Sequence, residues 1–214
     1  TIHSLRKGFS SDIKIIVIDD ASTDNSVNLL NSQKINVFHR KNNGGFGATV
    51  NSGFNYLIKN NFNYAIVCNS DLDPSSKQCT LIEESVSKNL INKKCDVLGF
   101  LEKDSDKEKN YDNTRISGFL FAINLQIIIT TGNINENFYM YGEEEEFFRR
   151  VSKKGFNIIQ SGIVVSHKSE QSAKSKYKNT WYVIRNALYM EVLDKNFYML
   201  IRKIFILLLI ILRL

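Results

Sequence analysis

The stretch YAIVCNSDLDP, residues 64–74, runs five apolar residues straight into Asn69, Asp71, Asp73 and the only proline of the chain. An apolar run of that length, without polar alternation, reads as a strand buried on both faces, which is how strands of a parallel sheet read. The same pattern stands upstream, where IKIIVI at 13–18 ends in Asp19-Asp20. Working outward, Ser22 or Thr23 caps a helix running to about Asn31, and 35–38 is a second short strand. The glycines of NNGGFGATVNSGF, residues 42–54, open a helix with Phe46, Val50, Phe54 and Leu57 on one face. Further on, the pattern predicts a helix over 75–88 and a strand over 96–101. A solvated loop, EKDSDKEKN, covers 102–110, and a strand over 115–123 is interrupted at Ser117-Gly118. A helix over 143–154, a strand over 158–165 and a helix over 176–193 follow. Strands alternating with helices make this an α/β domain on a mostly parallel sheet flanked by helices.

Composition agrees with a compact, well-packed body. The 214 residues are 43% hydrophobic, with 14 Phe and 9 Tyr, which excludes a disordered chain. Three cysteines, Cys68, Cys79 and Cys95, form no CxxC pair and read as reduced structural thiols of a cytosolic setting. Residues 1–167 carry 19 basic and 19 acidic side chains, whereas 168–214 carry 9 against 3, so the net charge of +6 lies wholly in the tail. The tail ends in IFILLLIIL at 204–212, bracketed by Arg202, Lys203 and Arg213, which favours lipid over nucleic acid as the partner of that charge. Nine apolar residues fall far short of the roughly 20 that span a bilayer, leaving an interfacial helix over 197–214 or a terminal core helix. The division expected is a body over 1–170 and a basic, apolar helical appendage over 171–214.

Four features could carry chemistry. Ligands of open α/β sheets bind beyond the carboxyl ends of the strands, and here two such ends bear acids, Asp19-Asp20 and Asp71 with Asp73. Neighbouring carboxylates repel, so a divalent cation or a polar sugar is their natural partner, although Asp also serves in caps and turns. The glycine-rich NNGGFG matches neither GxGxxG nor a P-loop, and it suits close backbone approach at a helix start. MYGEEEEFFRR places Glu143 to Glu146 at a helix start, where one or two can face a cleft while the others meet solvent, Arg149 or Arg150. A carboxylate there has its ionised form favoured, which suits a general base. His167, after the strand IVV, can complete a metal site begun by Asp71.

In combination these segments resemble the family 2 inverting glycosyltransferases of the GT-A fold, in particular the rhamnosyltransferase-like branch that builds bacterial surface polysaccharides such as O-antigen. VIDDASTDNS is similar to that family's strand-end Asp and turn, and NNGGFGATVNSGF to its Asn- and Gly-rich segment. CNSDLDP is similar to its DxD equivalent, NENFYMYGEEEEFFRRVSKKGF to its aromatic and acidic helix, VVSHKS to its strand ending in a metal-binding His, and WYVIRNALY to its Tyr-x-x-Arg-Asn helix. The resemblance implies inverting transfer of a rhamnose or hexose-like sugar from a nucleotide-diphosphate donor to a saccharide or lipid-linked acceptor. It places donor contacts at Asp19, Asn43, Asn51, Asn69 and Asp71, and acceptor contacts at Ser117 and Gly118. Glu144, where the family more often has Asp, becomes the general base, with Glu143 assisting and Arg150 structural. Asp71 and His167 become ligands of a divalent cation, Mg²⁺ or Mn²⁺. The first motif residue is Asn69 by register, and Asp73 is the alternative partner. The implied location is cytoplasmic, at the inner face of the bacterial membrane. TIHSLRK, residues 1–7, resembles the end of the helix that follows the family's first strand, so that strand is expected to be missing. A fragment that binds a nucleotide or partner without catalysis is the alternative reading.

Overall fold

A computed structural model describes residues 1–103, 116–166 and 176–212. Strand β1 (Val17–Asp19) pairs in parallel with β2 (Val37–His39), with Asp19 opposite His39. A separate four-stranded sheet has the order β3 (Tyr64–Cys68), β5 (Leu120–Asn124), β4 (Val97–Lys103), β6 (Ile158–Ser166). β4 and β6 are parallel, and β5 runs against both β3 and β4 between them. Three of the four strands thus share a direction.

Side-chain alternation explains why β5 can occupy the middle of this sheet. Leu120 and Ala122 face one apolar cluster with Leu98, Phe100, Ile82 and Leu90, whereas Phe121 and Ile123 face another with Phe54, Phe147 and Val151. Both faces are therefore covered, as a strand without polar positions requires. Each fully buried Phe or Ile side chain contributes about 2 kcal/mol of apolar burial. The helices supplying these layers are α3 (Gly45–Lys59), α4 (Ser76–Val86) and α6 (Glu143–Lys153). α4 begins with a reciprocal cap: Ser75 Oγ accepts from the Gln78 backbone N–H, and the Gln78 side chain accepts from the Ser75 N–H. Shorter helices α1 (Ile2–Gly8), α2 (Ser26–Ser32) and α5 (Gln126–Thr131) complete the body.

Several boundaries differ from those predicted. β1 covers only the end of the 13–18 run, because its one partner, β2, offers three residues of ladder. α2 begins at Ser26 with Asn25 as its N-cap rather than Ser22 or Thr23, and Ser22 instead belongs to a turn in which its N–H bonds Asp19 Oδ2 at 3.0 Å and Ala21 has φ 61°. The helix after Ser75 continues as a wider π turn over Ser87–Ile91. β5 starts at Leu120, beyond Ser117-Gly118, and most of the expected loop over 102–110 lies outside the described residues. All three cysteines are free, and burial pushes the Cys68 and Cys95 thiols up to about 11, which leaves them inert.

The expected division at residue 170 falls outside the described residues. Beyond it, α7 (Lys176–Leu193) and α8 (Phe197–Leu212) pack against each other. α8 is not a core helix: Phe197, Tyr198, Ile201 and Phe205 are each more than half exposed. Among the described residues, no helix is long and apolar enough to cross a membrane.

Candidate active site

The carboxyl ends of β1 and β2 carry Asp19, Asp20, His39 and Arg40. Asp19 is 7% exposed, accepts from the Ser22 N–H and lies 2.6 Å from His39 Nδ1. Against burial, which raises it, hydrogen bonds from the Ser22 side chain and backbone, with His39, hold its carboxyl below the usual range. Asp20 is a junction. Its carboxylate takes Arg40, the Gly44 N–H at 3.0 Å and the Gly45 N–H at 2.8 Å. It thereby satisfies free N–H groups at the start of α3, where acids are favoured. The glycine loop is tied down by this one side chain.

Asn43 and Asn51 serve this region differently. Asn43 Oδ1 accepts from Tyr139 Oη at 2.8 Å, at the surface. Asn51 is 2% exposed, donates to Ile134 O and Glu136 Oε1 and accepts from the Ile134 N–H, so it ties α3 to the 134–136 segment. Gly45 has φ +79°, and a Cβ there would lie 1.9 Å from the Tyr139 carbonyl oxygen. Only glycine allows the start of α3 to touch the 138–142 turn.

That turn leads into α6 through Gly142, the left-handed N-cap at φ 90°. The four glutamates divide as their helical positions require. Glu145 bonds Arg149 at 2.6 Å, and Glu146 bonds Arg150 at 2.8 and 2.9 Å. Arg150 also donates to the carbonyls of Thr131 and Asn133, which makes it a structural clamp. Glu143 and Glu144 turn inward. Glu143 is 4% exposed, and its Oε2 has no hydrogen-bond partner. Burial, with the neighbouring Glu144 charge, pushes its carboxyl up to about 7. Glu144 is also raised, chiefly by burial, so desolvation overrides the preference of a helix start for the ionised form.

Gly118 lies against this acid. A Cβ on it would stand 3.3 Å from the Phe46 ring and 3.5 Å from Glu144 Cβ, so Gly118 packs beside the base of the Glu144 side chain. The next carbonyl, of Phe119, accepts from the Asn69 N–H at 2.9 Å, which carries the site across to the end of β3. Asp71 is partly buried there, while Asp73 is exposed and accepts from Ser4 Oγ of α1 at 2.8 Å. The oxygen donors of Asn69 and Asp71 suit a hard divalent cation. Among the described residues no three acidic, His or Cys side chains gather as a metal site. His167, the third ligand expected, lies outside the described residues.

Sequence reading missed Asp20, His39 and Arg40 as partners. The signal was present in the paired strand ends, since β1 and β2 in register place Asp19 beside His39.

Residues 1–116 match the family model described as "Glycosyl transferase family 2". The chain belongs to that family, with the GT-A fold. Among solved structures it is similar to the mannosyltransferase PcManGT from Pyrobaculum calidifontis in complex with GDP-Man and Mn²⁺. That likeness has 12% identity and a TM-score of 0.65, covering 87% of this chain and 56% of that one. S. aureus TarS in complex with UDP-GlcNAc gives 14% identity and a TM-score of 0.64, over 89% and 60% of the two chains. Glucosyl-3-phosphoglycerate synthase from Mycobacterium tuberculosis, in complex with Mn²⁺ and UDP-Glc, gives 14% and 0.61, over 89% and 74%. The chain thus spans little more than half the length of the first two. No curated protein sequence matches it.

Proposed function

We propose that this chain carries the donor-binding and catalytic part of an inverting glycosyltransferase, transferring a rhamnose or hexose-like sugar from a nucleotide-diphosphate donor. The observation that carries this reading is the contiguity of Glu144, Gly118, Phe119 and Asn69. It sets a raised-pKa acid beside the strand end where a diphosphate would lie. Glu144 takes the proton of an acceptor hydroxyl, that oxygen bonds the anomeric carbon, and the bond from that carbon to the diphosphate breaks. Nucleoside diphosphate leaves, and a single displacement inverts the centre. A base poised above the ordinary carboxylate range is better matched to a hydroxyl proton at neutral pH. Glu143 supports the acceptor or sugar from its buried position.

Asp19, Asn43 and Asn51 shape the nucleotide side, with Asp19 reaching the donor through the turn and ring that it fixes. Asn69 and Asp71 would hold a divalent cation, Mg²⁺ or Mn²⁺, with His167 as a further ligand. When bound, that cation supplies positive charge to the leaving diphosphate. Asp73, tied to α1, supports the Asn69–Asp71 pairing over the Asp71–Asp73 one. Ser117 and Gly118 line the acceptor side.

The acceptor is a saccharide or lipid-linked hydroxyl of a surface polysaccharide such as O-antigen. The body over 1–170 works at the inner face of a bacterial membrane, and the outward apolar face of α8 with Arg202 supports peripheral contact there. A calorimetric titration with UDP and dTDP, with and without Mn²⁺, tests the donor site. Metal-dependent binding that Asp71→Ala abolishes is expected, and no binding by the folded chain would overturn the reading.

A further inference from the structure

We propose that Arg185 and Asn186 of α7 are positioning residues that hold the 138–142 turn and through it set Glu143 and Glu144. The proposal rests on Glu144 being the base, but its geometry stands on separate contacts.

Asn186 is 2% exposed, and its amide nitrogen faces three carbonyls at once, those of Phe138 at 3.0 Å, Met140 at 2.7 Å and Tyr141 at 2.6 Å. Carbonyl oxygens gathered this closely repel one another unless a donor sits at their focus. Arg185 fixes which end of the Asn186 amide fills that place: its Nε donates to Asn186 Oδ1 at 2.8 Å, leaving the nitrogen for the carbonyls. Arg185 Nη2 also donates to the carbonyls of Asn137, at 2.8 Å, and Phe138.

The turn needs such a hold. Tyr139 and Tyr141 are both left-handed, with φ 63° and 66°, a conformation that bulky L residues adopt only under constraint. Gly142 follows as an N-cap that offers α6 no side-chain hydrogen bond, so the direction of the first helical turn is inherited from the backbone before it. Glu143 and Glu144 are the first residues to inherit it. The hold reaches the donor side as well, since the Tyr139 ring stacks on Tyr182 at 5.1 Å and its hydroxyl donates to Asn43. α7 therefore grips the turn that joins the glycine loop to the catalytic acid.

Two measurements on the 214-residue chain, neither involving a sugar, test this. The first is hydrogen exchange of the amides of 139–146, and the second is the titration midpoint of the Glu143 carboxyl by carbon-13 NMR. Asn186→Ala is expected to speed that exchange at least about tenfold. It is also expected to move the Glu143 midpoint from about 7 toward the ordinary value of 4.5 as water reaches the acid. Adding Tyr141→Gly, which removes the left-handed penalty at an exposed side chain, is expected to restore both. Arg185→Gln is the milder variant and should shift both readouts the same way. Unchanged exchange and midpoint in a folded Asn186→Ala chain would overturn the proposal. So would a loss of global stability with the midpoint unmoved. Where nucleotide binding fails but these shifts occur, the grip stands and the transferase reading falls.

Discussion

Two pairs of adjacent acids serve the same region and are treated in opposite ways. Asp19-Asp20 ends a strand and is supplied with every kind of partner: an imidazole, a guanidinium and three backbone N–H groups. Glu143-Glu144 starts a helix, with Glu143 buried and Glu144 half-buried, and among the described residues one Glu143 oxygen has no hydrogen-bond partner. The first pair works as a fastener. In the second, burial raises both carboxyls, that of Glu143 up to about 7.

Four substitutions break or sharpen that contrast. Glu144→Gln keeps the shape and removes the proton acceptor, so transfer should fall about a thousandfold, roughly 4 kcal/mol of barrier, with donor affinity nearly intact. Steady-state kinetics beside nucleotide titration would separate the two. Glu143→Gln should stabilise the fold. Its folded pKa, about 7, lies above the unfolded 4.5, so the wild-type proton stabilises the native state below 4.5 and that contribution is lost as pH rises to 7. The variant should therefore gain about 3 kcal/mol on wild type at pH 8 and little at pH 4, read from denaturant melts at both. Asp20→Asn leaves the start of α3 and Arg40 without their anion. A cost of about 2 kcal/mol is expected, together with weaker nucleotide binding, since the glycine loop loses its tie. Arg149→Ala removes exposed pairs with Glu145 and Asp194 and should shift stability by no more than about 0.5 kcal/mol in thermal melts.

Much of this was legible in the sequence, for physical reasons. β3 and α7 stand at their predicted bounds and α6 within one residue of its own, because their patterns are local. The sorting of the four glutamates followed from helical geometry and from Arg149 and Arg150 one turn on. What depended on distant partners was hidden. The length of β1 was set by β2, and the direction of β5 by the strands on either side of it. Asn51 reads as a pocket residue in sequence, yet its amide is spent on Ile134 and Glu136, 83 and 85 residues away. The strain at Tyr139 and Tyr141 has no local signature at all, since its support comes from α7.

The contact of Gly45 with the Tyr139 carbonyl bears on how such a molecule can change over generations. A side chain at 45 would collide with main chain, and no exchange of the residue at 139 removes a carbonyl. Drift in the glycine loop and drift in the aromatic turn are therefore not independent. A lineage that reshapes the glycine loop must carry the aromatic turn with it, so the two segments are inherited as one unit.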